Sequence, residues 1–173
     1  MKLKGKRVAY FVAQEFEDLE FWVPYMRLQE EGATLVIAGP KAHEMYKGKV
    51  GIPATSEVSF DDLIADSYNA VIIPGGWAPD KIRRYRSAVN FVKSLNEQKK
   101  IIGMICHAGW VGISAGIVKG RFATGSEGIK DDLTNAGAIW KNEPAFRYEN
   151  IVWGRVVADI PDFCRELVNA LSA

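Results

Sequence analysis

The sequence predicts a doubly wound α/β sandwich, in which helices cover both faces of a mainly parallel sheet. Short apolar runs that end in turns alternate with longer segments of helical spacing, as buried parallel strands and their crossover helices require. The chain has 173 residues and is 48% hydrophobic, which is enough for a sizeable core. It contains no linker-like stretch, internal repeat or low-complexity segment, so we expect a single domain over residues 1–173.

The first half of the chain alternates strands with helices. The predicted elements are a strand over 7–13, a helix between the turn at 14–18 and residue 31, a strand over 34–38, a loop over 39–49, a strand or hairpin arm outside the main sheet over 50–58, a short helix over 60–64 and a strand over 70–73. Leu19, Trp22, Val23 and Met26 form one apolar face of the first helix. Pro24 lies inside that helix, where we expect a kink or a restart.

The second half continues the alternation. The predicted elements are a helix over 79–98, a buried strand over 101–105, a helix over 110–118, a strand over 121–124, a helix over 128–136, strands over 138–140, 146–148 and 151–153, and a helix over 162–171. Three polar turns, over 14–18, 75–80 and 106–109, follow predicted strands. Because ligands of such folds bind beyond the carboxyl ends of the strands, we expect these turns to converge on one site.

The charge balance and the cysteine content exclude several classes of function. The net charge is +1, with 22 basic and 21 acidic side chains, so the balance favours neither nucleic acid nor an anionic membrane as a partner. Two cysteines, Cys106 and Cys164, are too few for a disulfide scaffold and fit a reducing compartment. The basic start does not lead into a signal peptide, and no stretch is predicted to span a bilayer. We therefore expect a cytoplasmic protein.

Cys106 lies at a strand–turn–helix junction typical of a nucleophile elbow. The first N–H groups of the following helix would point at its sulfur, which favours a thiolate, and the same groups can stabilise an oxyanion. Ala108 supplies the small residue two places after the nucleophile. The alternative is an inert buried cysteine, which is the expectation for Cys164 in the last helix.

Motifs along almost the whole chain resemble the PfpI/ThiJ superfamily, and most closely its intracellular-protease (PfpI) branch. The matching segments are residues 16–20, 24–25, 27–28, 30–32, 74–76, 78–79, 105–107, 113–116, 119–121, 128–132 and 135–137. The resemblance implies a flavodoxin-like three-layer sandwich that assembles as a dimer or a larger homo-oligomer. It also implies a cysteine-dependent hydrolase with peptidase, protein deglycase or glyoxalase-type activity, which needs no cofactor and acts on peptides or on small carbonyl compounds such as methylglyoxal and their adducts.

The resemblance also assigns roles to individual residues. Cys106 would be the nucleophile, and Glu17 would be the carboxyl group next to its sulfur. His107 would be the general base, oriented by Asp80 of a neighbouring subunit. The backbone N–H groups of Gly76 and His107 would bind the oxyanion.

The chain departs from the family pattern around this site. Asp80 replaces a glutamate, and Cys-His-Ala-Gly at 106–109 replaces Cys-His-Gly-Pro. Trp77 and Trp110 flank the two turns, and Ser126 replaces an aromatic residue that commonly lines the family pocket. These changes predict a different substrate preference.

Other functions remain as alternatives or are disfavoured. Some relatives are redox sensors or chaperone-like stress proteins, in which the elbow cysteine would be oxidised to a sulfinate. A class I amidotransferase needs a histidine downstream of the nucleophile, and none follows His107. The histidines and cysteines form no metal-binding pattern, and there is no nucleotide fingerprint.

Overall fold

A mainly parallel seven-stranded sheet forms the centre of the molecule in the computed structural model, which describes residues 1–173. The strands are β1 (Arg7–Phe11), β2 (Thr34–Gly39), β3 (Met45–Lys47), β4 (Pro53–Thr55), β5 (Val58–Ser59), β6 (Ala70–Ile73), β7 (Ile101–Ile105), β8 (Phe122–Ala123), β9 (Ile139–Trp140), β10 (Ala145–Tyr148) and β11 (Ile151–Gly154). The helices are α1 (Asp18–Glu30), α2 (Ala78–Ile82), α3 (Arg86–Glu97), α4 (Gly109–Ser114), α5 (Lys130–Asn135) and α6 (Ile160–Ser172).

The sheet has the order β10-β11-β7-β6-β1-β2-β5, and only β10 pairs with its neighbour in the antiparallel direction. Helices α1 and α6 pack together on one side of the sheet, while α2, α3 and α4 contact one another on the other side. The predicted three-layer, flavodoxin-like α/β fold is confirmed. Strands β6 and β7 have the predicted bounds, because an apolar run that ends in a turn leaves a central strand little freedom of register.

The predicted loop over 39–49 contains a strand. Strand β3 pairs with β4 in a separate antiparallel hairpin, so the arm predicted outside the main sheet is present, although β5 returns to the main sheet. The short 3₁₀ helix over 60–62 follows directly. A strand of three residues is too short for its alternation to be recognised from sequence.

The single long helix predicted over 79–98 is wrong, because the chain forms α2 and α3 with a break between them. Tyr85 caps α3 in an extended conformation, with φ −91° and ψ 111°. Its ring packs on Phe60, with the ring centroids 5.6 Å apart. This tertiary contact overrides a local sequence that is compatible with helix on both sides of the break. The predicted helix over 110–118 is shortened in a similar way, since it ends at Ser114.

The apolar face predicted for α1 does not point into the core. Leu19, Val23 and Met26 are 47%, 42% and 59% exposed, whereas Phe21 and Leu28 are fully buried. Apolar residues occur all around this helix, so their spacing could not decide which side the core would use. The helix also continues through Pro24 without a restart.

Tyr10 compensates for the missing N–H of Pro24. Its hydroxyl group donates to the Phe21 carbonyl at 2.9 Å and lies 3.5 Å from the Glu20 carbonyl, the oxygen that an N–H at position 24 would have bonded. Strand β1 therefore holds the first two turns of α1 in place, and these turns carry a side chain of the site.

Candidate active site

The three polar turns converge at the carboxyl edge of the sheet, as the sequence predicts. The N–H of Glu17 donates to the carbonyl of Gly75 at 3.1 Å, and the N–H of Trp77 donates to the carbonyl of Glu15 at 2.9 Å. Gly75 in turn packs on the third turn, where a Cβ at this position would lie 2.7 Å from the Cβ of Cys106. Only a glycine allows the second turn to approach the cysteine this closely.

Cys106 forms the predicted elbow. It follows β7 directly, begins the 3₁₀ helix over 106–108 and has a φ of +60°, a left-handed conformation that non-glycine residues rarely adopt. Its carbonyl accepts the N–H of Ser126 at 3.1 Å. A Cβ at Gly125 would lie 2.5 Å from the same carbonyl, so this loop also packs closely against the elbow. The side chain of Cys106 is partly exposed, as a nucleophile requires.

The carboxyl group beside the sulfur belongs to Glu20, and the prediction that Glu17 fills this position is wrong. Glu17 precedes α1 and caps it, since its carboxylate accepts the N–H of Glu20 at 2.8 Å. Glu20 lies one turn further on and is fully buried. Its Oε2 accepts the N–H of Gly75 at 2.8 Å, and its carboxyl group lies against the side chain of Cys106. The orientation of α1 explains why Glu20 and not Glu17 lies beside the sulfur, because the face of the helix that points inward carries Glu20.

Glu20 and Cys106 form a coupled pair, in which each group affects the pKa of the other. Burial, with a smaller contribution from the Glu17 carboxylate, raises the pKa of Glu20 to about 7. Burial and the adjacent Glu20 carboxylate also raise the pKa of the Cys106 thiol, while the N–H groups of His107 and Gly76 lower it. Because the two groups lie close together and Glu20 is fully buried, they do not both ionise, so above pH 7 the pair carries one negative charge and shares one proton.

This coupling runs against the expectation that the helix terminus keeps the sulfur anionic, because burial and the Glu20 carboxylate raise the pKa of the Cys106 thiol. The thiolate forms when Glu20 holds the shared proton. Oε1 of Glu20 is buried without a hydrogen-bond partner, an arrangement that favours the protonated carboxyl group.

His107 lies beside the sulfur in the same chain. Its Nδ1 is 3.2 Å from Sγ of Cys106, and its ring lies between Trp77 and Trp110, with centroid distances of 5.7 and 5.0 Å. Burial, and then the positive charge of Lys49, lower the pKa of His107. The imidazole is therefore neutral at pH 7 and able to accept a proton.

The backbone N–H groups of Gly76 and His107 lie near the sulfur of Cys106, and their role as oxyanion donors stays a prediction. Both N–H groups act to lower the pKa of the Cys106 thiol, so they lie near the place where a carbonyl would be attacked. Gly76 has a φ of +74°, and a Cβ there would lie 2.5 Å from the N–H nitrogen of Glu17. A side chain at this position would displace the turn that aims the donor.

Asp80 does not contact His107 within the chain. It lies in the first turn of α2, and its carboxylate pairs with Arg84 at 2.6 Å. The acidic side chain that acts on His107 within the chain is Asp132, whose charge raises the pKa of the imidazole and whose Oδ2 accepts the indole N–H of Trp110 at 2.8 Å. An acid supplied by Asp80 therefore has to come from a second subunit.

The predicted pocket residues surround the elbow. Trp77 is 49% exposed at the mouth of the site, and Trp110 is partly buried. Ser126 caps the 3₁₀ helix over 127–129 with its side chain. No group of three His, Cys, Asp or Glu side chains is arranged to hold a metal ion, and no helix is long and apolar enough to cross a membrane.

Sequence reasoning missed three residues of the site: Glu20, Lys49 and Asp132. The capping rule could have found Glu20. An acidic residue at the start of a helix, here Glu17, accepts backbone N–H groups, so the acidic residue one turn further on, Glu20, is available for other contacts. Lys49 and Asp132 lie in segments whose spacing gives no sign of proximity to Cys106 before the fold is known.

The chain is similar to known proteins over almost its whole length. Residues 6–170 match the model of the DJ-1/PfpI family. The chain is 35% identical over 165 residues to a protein of Pyrococcus furiosus named deglycase PfpI, covering 95% of this chain and 99% of that protein. It is 34% identical to the putative cysteine protease YraA of Bacillus subtilis, covering 96% of this chain and 99% of the relative.

A solved structure has the same fold. It is a two-domain protein of Anabaena variabilis with DJ-1/ThiJ/PfpI-like and ferritin-like domains, which matches 96% of this chain with a TM-score of 0.94 and 35% identity. The chain spans about half of that two-domain protein, 48% of its length.

Proposed function

The chain belongs to the DJ-1/PfpI family, and we propose that it is a cysteine-dependent hydrolase that acts on carbonyl compounds. Relatives named as deglycases and as a putative cysteine protease support hydrolysis. The substrates would be peptides, methylglyoxal or the adducts that methylglyoxal forms on proteins. The observation that carries the proposal is the 3.2 Å contact between Sγ of Cys106 and Nδ1 of a neutral His107.

The proposed reaction begins with attack by sulfur. Sγ of Cys106 forms a bond to the carbonyl carbon, and the π electrons of the carbonyl move to its oxygen. The N–H groups of Gly76 and His107 stabilise that oxyanion, an interaction that typically contributes about 3 kcal/mol to such a step. With an aldehyde the product is a hemithioacetal. With an acyl compound the oxyanion collapses and expels the leaving group, and water then cleaves the thioester.

Two neighbouring groups handle the protons. Glu20 takes up the thiol proton in the resting site, which leaves sulfur as the nucleophile. His107 accepts a proton when the thiol is the starting form and returns it to the leaving nitrogen or oxygen. Neutral His107 is the form needed at this stage, and burial keeps it neutral.

We further propose that a second copy of the chain covers the exposed face of α1. Leu19, Val23 and Met26 form an apolar stripe on the outside of a helix whose opposite side is already packed. Self-association would bury this stripe, and an oligomer would allow Asp80 of one subunit to orient His107 of another.

Matched cysteine variants test the function. Cys106→Ser is expected to lower the turnover of methylglyoxal, of a methylglyoxal-modified peptide and of a fluorogenic peptide by about a thousandfold. Cys164→Ser serves as the control, since Cys164 is buried in α6 away from the site. Activity against one of these substrates in the wild type, lost only in Cys106→Ser, supports the proposal. Equal activity of both variants, or no activity of the wild type on any of the three, contradicts it.

A further inference from the structure

Lys49 brings a positive charge to the mouth of the site. Its ammonium group lies 5.9 Å from the ring centroid of Trp77, and Trp77 itself lies 5.7 Å from the ring of His107. Lys49 is exposed, and it takes part in none of the ion pairs of the structure. It is therefore a cation without an acidic partner beside the nucleophile.

A buried carboxylate fixes the loop that carries Lys49. Asp18 is fully buried, and its two oxygens accept the N–H groups of Val50 and Ile52, each at 2.9 Å. The N–H of Lys49 itself donates to the carbonyl of Phe16 at 2.9 Å. A Cβ at Gly48 would collide with the Asp18 carboxylate, so this carboxyl group fills the turn. The position of Lys49 is thus built into the fold by contacts to the turn that precedes α1.

The charge of Lys49 acts on the reacting groups. It lowers the pKa of His107 and also lowers the pKa of Glu20, although burial dominates in both cases. A cation that reaches both groups also attracts an anion that approaches the sulfur between them. The acidic side chains near the site would repel such an anion, and each of them has another contact. Asp132 accepts the indole N–H of Trp110 at 2.8 Å. Glu20 is buried behind the sulfur, and Glu17 is committed to the start of α1.

We propose that Lys49 is a specificity residue whose ammonium group binds a carboxylate or another anionic group on the compound that Cys106 attacks. The preferred substrates are therefore carbonyl or acyl compounds that carry a negative charge within reach of Lys49 when their reacting carbon lies at Cys106. The inference rests on the proposed function, because it names a substrate class for the same site. The partly exposed indole ring of Trp77 would pack against the remainder of such a compound.

A pair of alkylating reagents that differ in one charge tests this assignment without turnover. Iodoacetate and iodoacetamide have nearly the same size, and both react when the thiolate forms a C–S bond and iodide leaves. The measured quantity is the ratio of their rates at Cys106, followed by peptide mass spectrometry so that labelling of Cys164 is counted separately. We expect Lys49→Gln to lower the iodoacetate-to-iodoacetamide ratio about two- to fivefold at low salt, since one exposed charge at this range has a modest effect.

Two further variants sharpen the test. Lys49→Arg keeps the charge and is expected to keep the ratio, and Lys47→Gln, which removes a charge from strand β3 of the same hairpin, is expected to leave the ratio unchanged. High salt should reduce the wild-type ratio towards that of Lys49→Gln. In steady-state assays, a mono-ester of succinate should lose more of its kcat/KM than the matching acetate ester when Lys49 is replaced by Gln.

The outcomes separate this inference from the function on which it rests. A ratio that is the same in the wild type and in Lys49→Gln overturns the role of Lys49 while leaving the hydrolase intact. An equal fall in Lys47→Gln also overturns it, since net charge alone would then explain the effect. A ratio that falls only in Lys49→Gln, in a protein that turns over no carbonyl substrate, supports anion binding and overturns the hydrolase. If neither reagent labels Cys106, the result contradicts both the role of Lys49 and the proposed hydrolase function.

Discussion

The turn at Cys106 and the first turn of α1 supply the two members of one proton-sharing pair, yet the two regions are determined in different ways. The elbow is determined locally. An apolar strand, a cysteine with a left-handed backbone conformation and a following helix together fix the direction in which the sulfur points. The orientation of α1 is set by packing, because apolar residues lie on both sides of that helix. A local motif therefore identified the candidate nucleophile, whereas its carboxyl partner depended on which face of a helix became buried.

The first prediction concerns separate replacement of Glu20 and Glu17 by glutamine. Glu20→Gln removes the group that takes the thiol proton, so we expect kcat/KM to fall about a hundredfold or more. Glu17→Gln alters a helix cap and removes a smaller contribution to the pKa of Glu20, and it is expected to change kcat/KM less than about threefold. Steady-state kinetics of the two variants decide between the carboxyl groups. A larger loss in Glu17→Gln would return the role to the residue that the sequence favoured.

The two faces of α1 give the second prediction. Leu28 is fully buried, so Leu28→Ala should lower the free energy of unfolding by about 3 kcal/mol at any protein concentration. Met26 is 59% exposed, and Met26→Lys should act only through association. Its effect in urea unfolding would then disappear in dilute protein, and light scattering would show a smaller particle. If Met26→Lys leaves the particle mass of an oligomeric wild type unchanged, the stripe is not the contact surface.

The third prediction concerns stability and pH. The pKa of Glu20 is raised from 4.5 to about 7 in the folded protein. Between these values the folded state binds more protons than the unfolded chain, so stability falls as the pH rises from about 4.5 to 7. Glu20→Gln removes this loss and is expected to stabilise the fold above pH 7 by at most about 3 kcal/mol while lowering activity.

Urea unfolding of the wild type and of Glu20→Gln at pH 4 and pH 8 measures this effect. The stabilisation should be present at pH 8 and absent at pH 4. A variant that is less stable than the wild type at pH 8 would show that the folded protein accommodates the negative charge of the Glu20–Cys106 pair well, which contradicts a pKa raised by burial.

Much of the fold followed from the sequence, since β6 and β7 are apolar runs closed by turns and their bounds were predicted to the residue. Elements that depend on distant contacts were not. Tyr85 breaks the predicted long helix because its ring packs on Phe60. Within the site, Cys106, His107 and Gly76 could be identified from local pattern and resemblance. Glu20, Lys49 and Asp132 could not, because only the packing of α1, of the loop held by Asp18 and of α5 brings them to the sulfur.

The fourth and smallest expected effect concerns Asp80. If this residue acts from a second subunit, Asp80→Ala should lower kcat/KM about tenfold, because the histidine keeps its contact with the sulfur but loses its orienting acid. Mixing Asp80→Ala with the inactive Cys106→Ala after subunit exchange should restore activity, since one site of the mixed oligomer regains both residues. Arg84→Ala, which removes the partner of Asp80 within the chain, serves as a control for simple loss of that ion pair. Mixtures no more active than Asp80→Ala alone would exclude a role across subunits.

The proton shared by Glu20 and Cys106 is tested most directly by the rate at which iodoacetamide alkylates Cys106 between pH 5 and pH 10, in the wild type and in Glu20→Gln. Because the pair loses its first proton near the pKa of about 7 that burial gives Glu20, the wild-type rate should rise through an inflection near pH 7. That inflection should be absent from Glu20→Gln. A wild-type curve that follows free cysteine, with its inflection near about pH 8.5, or a curve that Glu20→Gln does not change, would contradict the shared proton.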